Sequence, residues 1–280
     1  MKSAFVRLAV VIAASALASA PAFAQQKDFE PHVGQAGKDV IWVPTPDEVV
    51  DRMLTMAQAK PGDTVYDLGA GDGKIAIAAA KKFGARSFGI EYNPDMAKYA
   101  QRNAEKAGVS GKAQIINGDI FATDFSSATI ITMYLLPSLN IKLRPTILGM
   151  RPGTRVVSHS FNMEDWTPDE TSSIAGRQAY LWIVPANILG RWTFEFSIAS
   201  VDKLDVTFDQ RFQKIDGVAM LGSVQASLEE PMLRGADIHF AYIDGAGVRR
   251  QLDGRVQGAK MEGAFRADNG TEGRWTASKR

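Results

Sequence analysis

The sequence predicts an α/β fold, a doubly wound parallel sheet, followed by a small antiparallel all-β domain. Three observations carry this reading. Short apolar runs alternate with helical periodicity between residues 63 and 160. A glycine-rich loop, Asp67-Leu68-Gly69-Ala70-Gly71-Asp72-Gly73, stands between the first run and the first helical pattern after it. Beyond about residue 186 period-two alternation takes over, with glycines recurring between short strands.

The elements follow in order. Residues 25–43 read as an extended lead-in. Thr45 is a suitable N-cap and Pro46 suits a first helical position. Val49, Val50, Met53, Leu54 and Ala57 then recur at helical spacing, and Pro61-Gly62 ends that helix. Strands are expected near 63–68, 86–91, 112–117, 128–134 and 153–160, and helices near 73–83, 94–107 and 138–149. Gly84 and Gly108 punctuate helix ends. Ligands of such sheets bind at the carboxyl ends of the strands. The glycine loop, Glu91, Asp119, Tyr134 and His159 all fall there. From Trp192 onward the pattern implies a meander, a small barrel or sandwich, and Arg191-Trp192 and Arg274-Trp275 each follow a glycine near its two ends.

The loop decides the chemistry. Glycines there admit a ligand close to the backbone, at a helix N-terminus. Glu91 lies about 20 residues on, where a carboxylate grips ribose hydroxyls. A dinucleotide fingerprint would need glycine at position 74, which is Lys74. A P-loop would need Ser or Thr after Gly73-Lys74 and a glycine at position 68; the residues are Ile75 and Leu68. Asn117-Gly118-Asp119 follows the third strand.

Residues 1–24 read as a secretory signal: Lys2 and Arg7, an apolar stretch Ala9–Ala18, and an Ala22-Phe23-Ala24 cleavage site before Gln25. The expected location is periplasmic or secreted. Lys2 and Arg7 account for two of the 32 Lys and Arg, which leaves 30 against 31 Asp and Glu. That balance gives no strong attraction to nucleic acid, and none is expected as a partner. The chain has no cysteine, which excludes disulfides, zinc thiolates and cysteine nucleophiles. His32, His159 and His239 have no metal-ligand spacing, and no second long apolar run suggests a membrane span after the signal.

The acidic-x-Gly-x-Gly-x-Gly loop resembles motif I of the class I S-adenosylmethionine (SAM) methyltransferases. Further segments narrow the likeness: Trp42-Val43-Pro44-Thr45-Pro46, Gly118-Asp119-Ile120-Phe121, Tyr134-Leu135-Leu136-Pro137 with Asn140, and Pro152-Gly153-Thr154-Arg155-Val156-Val157-Ser158-His159. Over about residues 38–185 the chain resembles bacterial relatives of the ATP-synthase c-subunit lysine methyltransferases. The secretion signal and the C-terminal β region depart from that pattern. The resemblance implies a Rossmann-like methyltransferase sheet over 25–186, ahead of the β domain at 187–280, and SAM as cofactor. It implies that Gly69, Gly71 and Gly73 pass beside the methionine moiety. Asp67 would hold its amino group, Glu91 the ribose hydroxyls, and Asp119 with Ile120 the adenine. Thr45 is either part of the segment that covers the cofactor or a helix cap alone. Tyr134 and Asn140 are the candidate catalytic residues on the acceptor side, with simple packing as the other reading of Tyr134. His159 is a proton acceptor or a structural histidine.

Two functions remain open at this level. One is SAM-dependent methyl transfer, on the resemblance to a protein lysine. The other is an exported protein that keeps the fold without methyl transfer and binds a partner through the β domain. Export away from the cytoplasm, where SAM is made, favours the second. The intact Asp67, Glu91 and Asp119 favour the first.

Overall fold

A computed structural model of the protein describes residues 29–198 and 203–280. The expected signal at 1–24 lies outside them. The chain first makes a seven-stranded sheet. Its elements are α1 (Asp47–Met56), β1 (Thr64–Leu68), α2 (Lys74–Phe83), β2 (Arg86–Glu91), α3 (Pro94–Lys106), β3 (Ala113–Asn117), β4 (Ile130–Met133), α4 (Pro137–Leu148), β5 (Arg155–His159), β6 (Glu170–Ile174) and β7 (Arg177–Ile183). The strand order is β3-β2-β1-β4-β5-β7-β6. Strands β1 to β5 pair in parallel, and β7 runs antiparallel to β5 and to β6. The order reverses at β1, so a crevice opens between β1 and β4 at their carboxyl ends.

All four residues of β4 are buried, as expected for a central strand covered on both faces. On one side α1 buries Val49, Val50, Met53 and Leu54, joined in one cluster by Val65 of β1, Ile75 of α2 and Leu181 of β7. On the other, Leu143 and Ile147 of α4 meet Tyr66, Met133 and Val156. Asn93 caps α3, its side chain accepting from the amides of Asp95 and Met96, with Pro94 in the first turn.

The start of α1 corrects one expectation. Pro46, not Thr45, occupies the N-cap position, and no side chain caps the helix. Thr45 turns inward instead.

The second unit holds β8 (Gly190–Phe196), β9 (Leu204–Arg211), β10 (Lys214–Leu221), β11 (Val224–Ser227), β12 (Glu229–Arg234), β13 (Asp237–Ile243), β14 (Arg249–Gln257), β15 (Lys260–Ala267) and β16 (Glu272–Lys279). They form one antiparallel sheet in the order β11-β10-β9-β8-β16-β15-β14-β13-β12. The sheet curls until it nearly closes as a barrel: Leu228, just before β12, donates its amide to the Gly217 carbonyl of β10 at 3.2 Å. Side chains fill the interior. Phe194, Phe208 and Phe240 meet edge-on or tilted, with Trp192 and Trp275 fully buried beside them. Gly254 and Gly263 make room for the Trp275 ring; a Cβ on either would lie 2.3 or 2.7 Å from it. Both tryptophans singled out in the sequence are therefore core residues of this barrel.

Candidate functional site

A cleft of about 520 Å³ opens where the sheet order reverses, a volume within the usual range of small-molecule sites. Its floor comes from the ends of β1 and β2. The glycine loop turns there with Gly69 at φ +82° and Gly71 at φ +54°. A Cβ on Gly69 would lie 2.9 Å from Leu135 Cδ2, and one on Gly71 2.5 Å from Trp42 Nε1. Both positions therefore exclude a side chain on conformation and on space. Trp42 belongs to a lead-in strap that folds against the loop. The strap doubles back on itself, with Gly34 donating to the Trp42 carbonyl and Trp42 to that of Gln35. The contact between Trp42 and Gly71 joins residues 29 apart in sequence, and nothing local in the sequence signals it.

Three of the carboxylates that line this cleft stand at or just beyond the ends of three successive strands. Asp67 is 2% exposed and its Oδ1 accepts from Thr132 Oγ1 at 2.8 Å. Burial pushes its carboxyl up to about 7, with Asp72 and Glu91 adding repulsion and Thr132 opposing. A carboxylate so placed favours a cationic partner. Glu91 accepts the Gly71 amide at 2.9 Å and the Asn93 amide at 2.8 Å, one on each oxygen. Burial raises its carboxyl above the ordinary value, and those amides hold it back. Each oxygen keeps a lone pair for a further donor. Asp119 meets Lys38 of the strap at 2.6 Å, which lowers its carboxyl; its other oxygen accepts the Phe121 amide. Lys38 also lies over the Tyr92 ring, 4.7 Å from its centre. Ile120 lines the same wall.

The far wall is aromatic. Tyr134 and Phe161 line it, 6.1 Å apart with rings 20° from parallel. Behind Tyr134 lies His159, ring centres 3.9 Å apart. His159 is fully buried, which holds its imidazole down at about 4, with Arg177 adding repulsion. It is neutral at pH 7. Its Nδ1 lies 3.2 Å from Thr45 Oγ1, and Nε2 has no partner among the described residues. Thr45, itself cleft-lining, thus ties the strap to β5.

The structure brings Thr45, Asp67, Gly69, Gly71, Glu91, Asp119, Ile120 and Tyr134 to one cleft. Two predicted residues stand apart. Asn140 is fully buried under the loop after β5, its Nδ2 donating toward the Phe161 and Asn162 carbonyls at 3.2 Å each. It supports Phe161 and does not face the cleft. Gly73 is the left-handed N-cap of α2, and a Cβ there would sit 3.1 Å from Ala100 Cβ. Its role is close helix packing. Trp42, Phe161 and Lys38 line the cleft without having been singled out as site residues.

The comparisons agree with this geometry. The family model described as the ANTKMT methyltransferase domain matches residues 67–170. A protein-lysine N-methyltransferase of Saccharolobus islandicus is 43% identical over 151 residues, covering 52% of this chain and 94% of the relative. The chain belongs to the class I SAM-dependent methyltransferases. An RNA methyltransferase from Salinibacter ruber, solved with S-adenosyl-L-homocysteine, is 50% identical with a TM-score of 0.51, covering 52% of this methyltransferase and 96% of that chain. The mouse ATP-synthase c-subunit lysine N-methyltransferase is 33% identical over 132 residues, 47% of this chain. This methyltransferase spans about half of that relative's length (53%). The site fits the cofactor of the family. Asp67 offers a buried carboxylate to an ammonium, Glu91 offers acceptors to hydroxyls, and Gly69 and Gly71 line the same cleft with backbone alone.

Proposed function

We propose that this methyltransferase transfers a methyl group to the side-chain amine of a protein lysine. One observation carries the reading: beside its carboxylate floor, the cleft is lined by two near-parallel aromatic rings, Tyr134 and Phe161. Leu136 beside them is 42% exposed, so the mouth is apolar as well. Such apolar walls suit the methylene stem of a lysine, and the desolvation they impose disfavours its charged form. The lysine relatives named above support the same class.

SAM supplies an electrophilic sulfonium methyl when bound. The protein's part is positioning and exclusion of water. In this reading Asp67 takes the amino group, Glu91 both ribose hydroxyls, and Asp119 with the Ile120 backbone the adenine edge. Tyr134 and Phe161 align the entering amine. The amine must first lose its proton, and desolvation beside those rings lowers its pKa. His159, neutral and buried behind Tyr134, fixes that ring's position and lies outside the cleft lining.

The RNA methyltransferase likeness makes RNA the competing acceptor. Incubation with methyl-labelled SAM, envelope protein and total RNA separates the two. Label recovered as methyllysine after protein hydrolysis supports the proposal; label confined to RNA contradicts it. We also propose that the chain is exported, on the signal pattern of residues 1–24. Mass spectrometry of the exported protein should then find Gln25 at the N-terminus, and an intact Met1 there would contradict it.

A further inference from the structure

We propose that the C-terminal barrel acts on the acceptor side of the active site, through the β9–β10 turn, by holding the loop that carries Phe161. This rests on the methyl-transfer reading above. The loop, residues 160–169, leaves β5 at Ser160, whose φ is +63°. It is pinned from two sides. From α4, Asn140 holds its first carbonyls, and Arg144 donates to the Met163 carbonyl at 3.0 Å while pairing with Asp165.

The other side is the barrel. Trp166, fully buried, donates its Nε1–H to Gln213 Oε1 at 3.0 Å. Gln213 returns a bond to the Thr167 carbonyl at 2.7 Å. Arg211 reaches the second oxygen of Asp165 at 3.0 Å. The Phe212 ring stacks on Trp166, centres 5.7 Å apart and 19° from parallel, and the Arg144 guanidinium lies 5.5 Å from the centre of the same ring. One turn of the barrel thus touches each successive part of the loop from Asp165 to Thr167.

Backbone conformation points the same way. Phe212 is the first residue of a two-residue hairpin turn and has φ +57°. Glycine or asparagine suits that place in a hairpin; a bulky aromatic does not. An outlier of this kind persists where surrounding contacts require it, and here the contacts are those to the acceptor loop. Gln210, two residues before Phe212, holds the Ala186 carbonyl and the Ile188 amide at 2.7 Å each, on the segment that leads from β7 into β8. The Saccharolobus relative is 94% covered by 52% of this chain, which leaves it no room for a barrel of this size. Binding the cofactor therefore does not call for the barrel, whereas shaping the acceptor wall in this chain does.

The test uses the full chain and three forms: wild type, Phe212→Gly and Phe212→Tyr. Glycine suits the turn's φ and removes only the ring, so misfolding is not the expected outcome; tyrosine restores the ring. Two readouts are taken: hydrogen exchange across residues 67–73 and 160–169, and kinetics with SAM and poly-L-lysine. Phe212→Gly should speed exchange in 160–169 and leave 67–73 unchanged. It should raise the KM for poly-L-lysine roughly tenfold, about 1.4 kcal/mol of lost acceptor binding, with SAM affinity within about twofold. Phe212→Tyr should behave as wild type. Unchanged exchange and KM in Phe212→Gly, or faster exchange in both segments with SAM affinity falling in step, would overturn the proposal. A wild type that binds SAM but never methylates poly-L-lysine counts against the lysine reading alone, and the exchange result then decides the role of the turn.

Discussion

Asp67 makes cofactor binding depend on pH in a direction the structure fixes. Its carboxyl is buried and held up at about 7, against an ordinary value of 3.8. Ionising it in place therefore costs about 4 kcal/mol more than in water, at about 1.36 kcal/mol per pH unit. In the free protein the sign is unfavourable to the anion. The folded state keeps a proton that the unfolded chain releases above 3.8, so that increment of stability is full below 3.8 and lost as pH rises through about 7. An ammonium bound beside Asp67 reverses this by stabilising the anion. Affinity for S-adenosylhomocysteine, which carries the same amino group, should then fall below neutrality. At about pH 5.5 only about 3% of Asp67 is ionised, so affinity should be up to about 30-fold weaker than at about pH 8. Calorimetry across that range, in two buffers of different ionisation enthalpy, would also register uptake or release of the proton. Asp67→Asn should bind more weakly at high pH and lose most of the pH dependence, which separates Asp67 from Glu91, whose carboxyl is raised by burial too. Equal wild-type affinities at the two pH values would refute the assignment of Asp67 to the amino group.

Other perturbations follow from the same cleft. Glu91→Ala should weaken cofactor binding by about 1.5–3 kcal/mol, the range for bonds to a charged group, measured by calorimetry; unchanged affinity removes the ribose assignment. Gly71→Ala forces a Cβ to within 2.5 Å of Trp42 Nε1 at φ +54°, and should cost about 1–3 kcal/mol of stability in a thermal or denaturant melt. Asn140→Ala removes the donor under Phe161 and should cost about 1–3 kcal/mol of stability. Its cofactor affinity should stay near wild type while turnover drops; a matching loss of cofactor affinity would place Asn140 in the binding site after all.

The cofactor half of the site was legible because its constraints are local. Gly69 and Gly71 must be glycine for their φ values, and Glu91 must end the second strand to reach the loop. The acceptor half depends on burial, which a single sequence does not display. A polar Asn140 just past an open strand reads as a site residue, yet tertiary packing puts it beneath the loop after β5. Thr45 reads as a cap, yet its hydroxyl finds His159, 114 residues away. Strand β6, Glu-Thr-Ser-Ser-Ile, lacks an apolar run because it is an exposed edge, so nothing in its pattern separated it from a loop. Beyond residue 190 the alternation of Trp192, Phe194, Leu204, Val206 and Phe208 gave the inward face of the barrel correctly. What lay out of reach was that one hairpin turn of that barrel packs against the loop beside the cleft.

A crystal structure of the mature chain with S-adenosylhomocysteine tests the site most directly. The ligand is expected in the cleft beside Gly69 and Gly71, with both ribose hydroxyls on Glu91, the amino group on Asp67, and the thioether sulfur facing Tyr134 and Phe161. A ligand bound elsewhere, or one in the cleft with its sulfur turned away from those two rings, would contradict that placement.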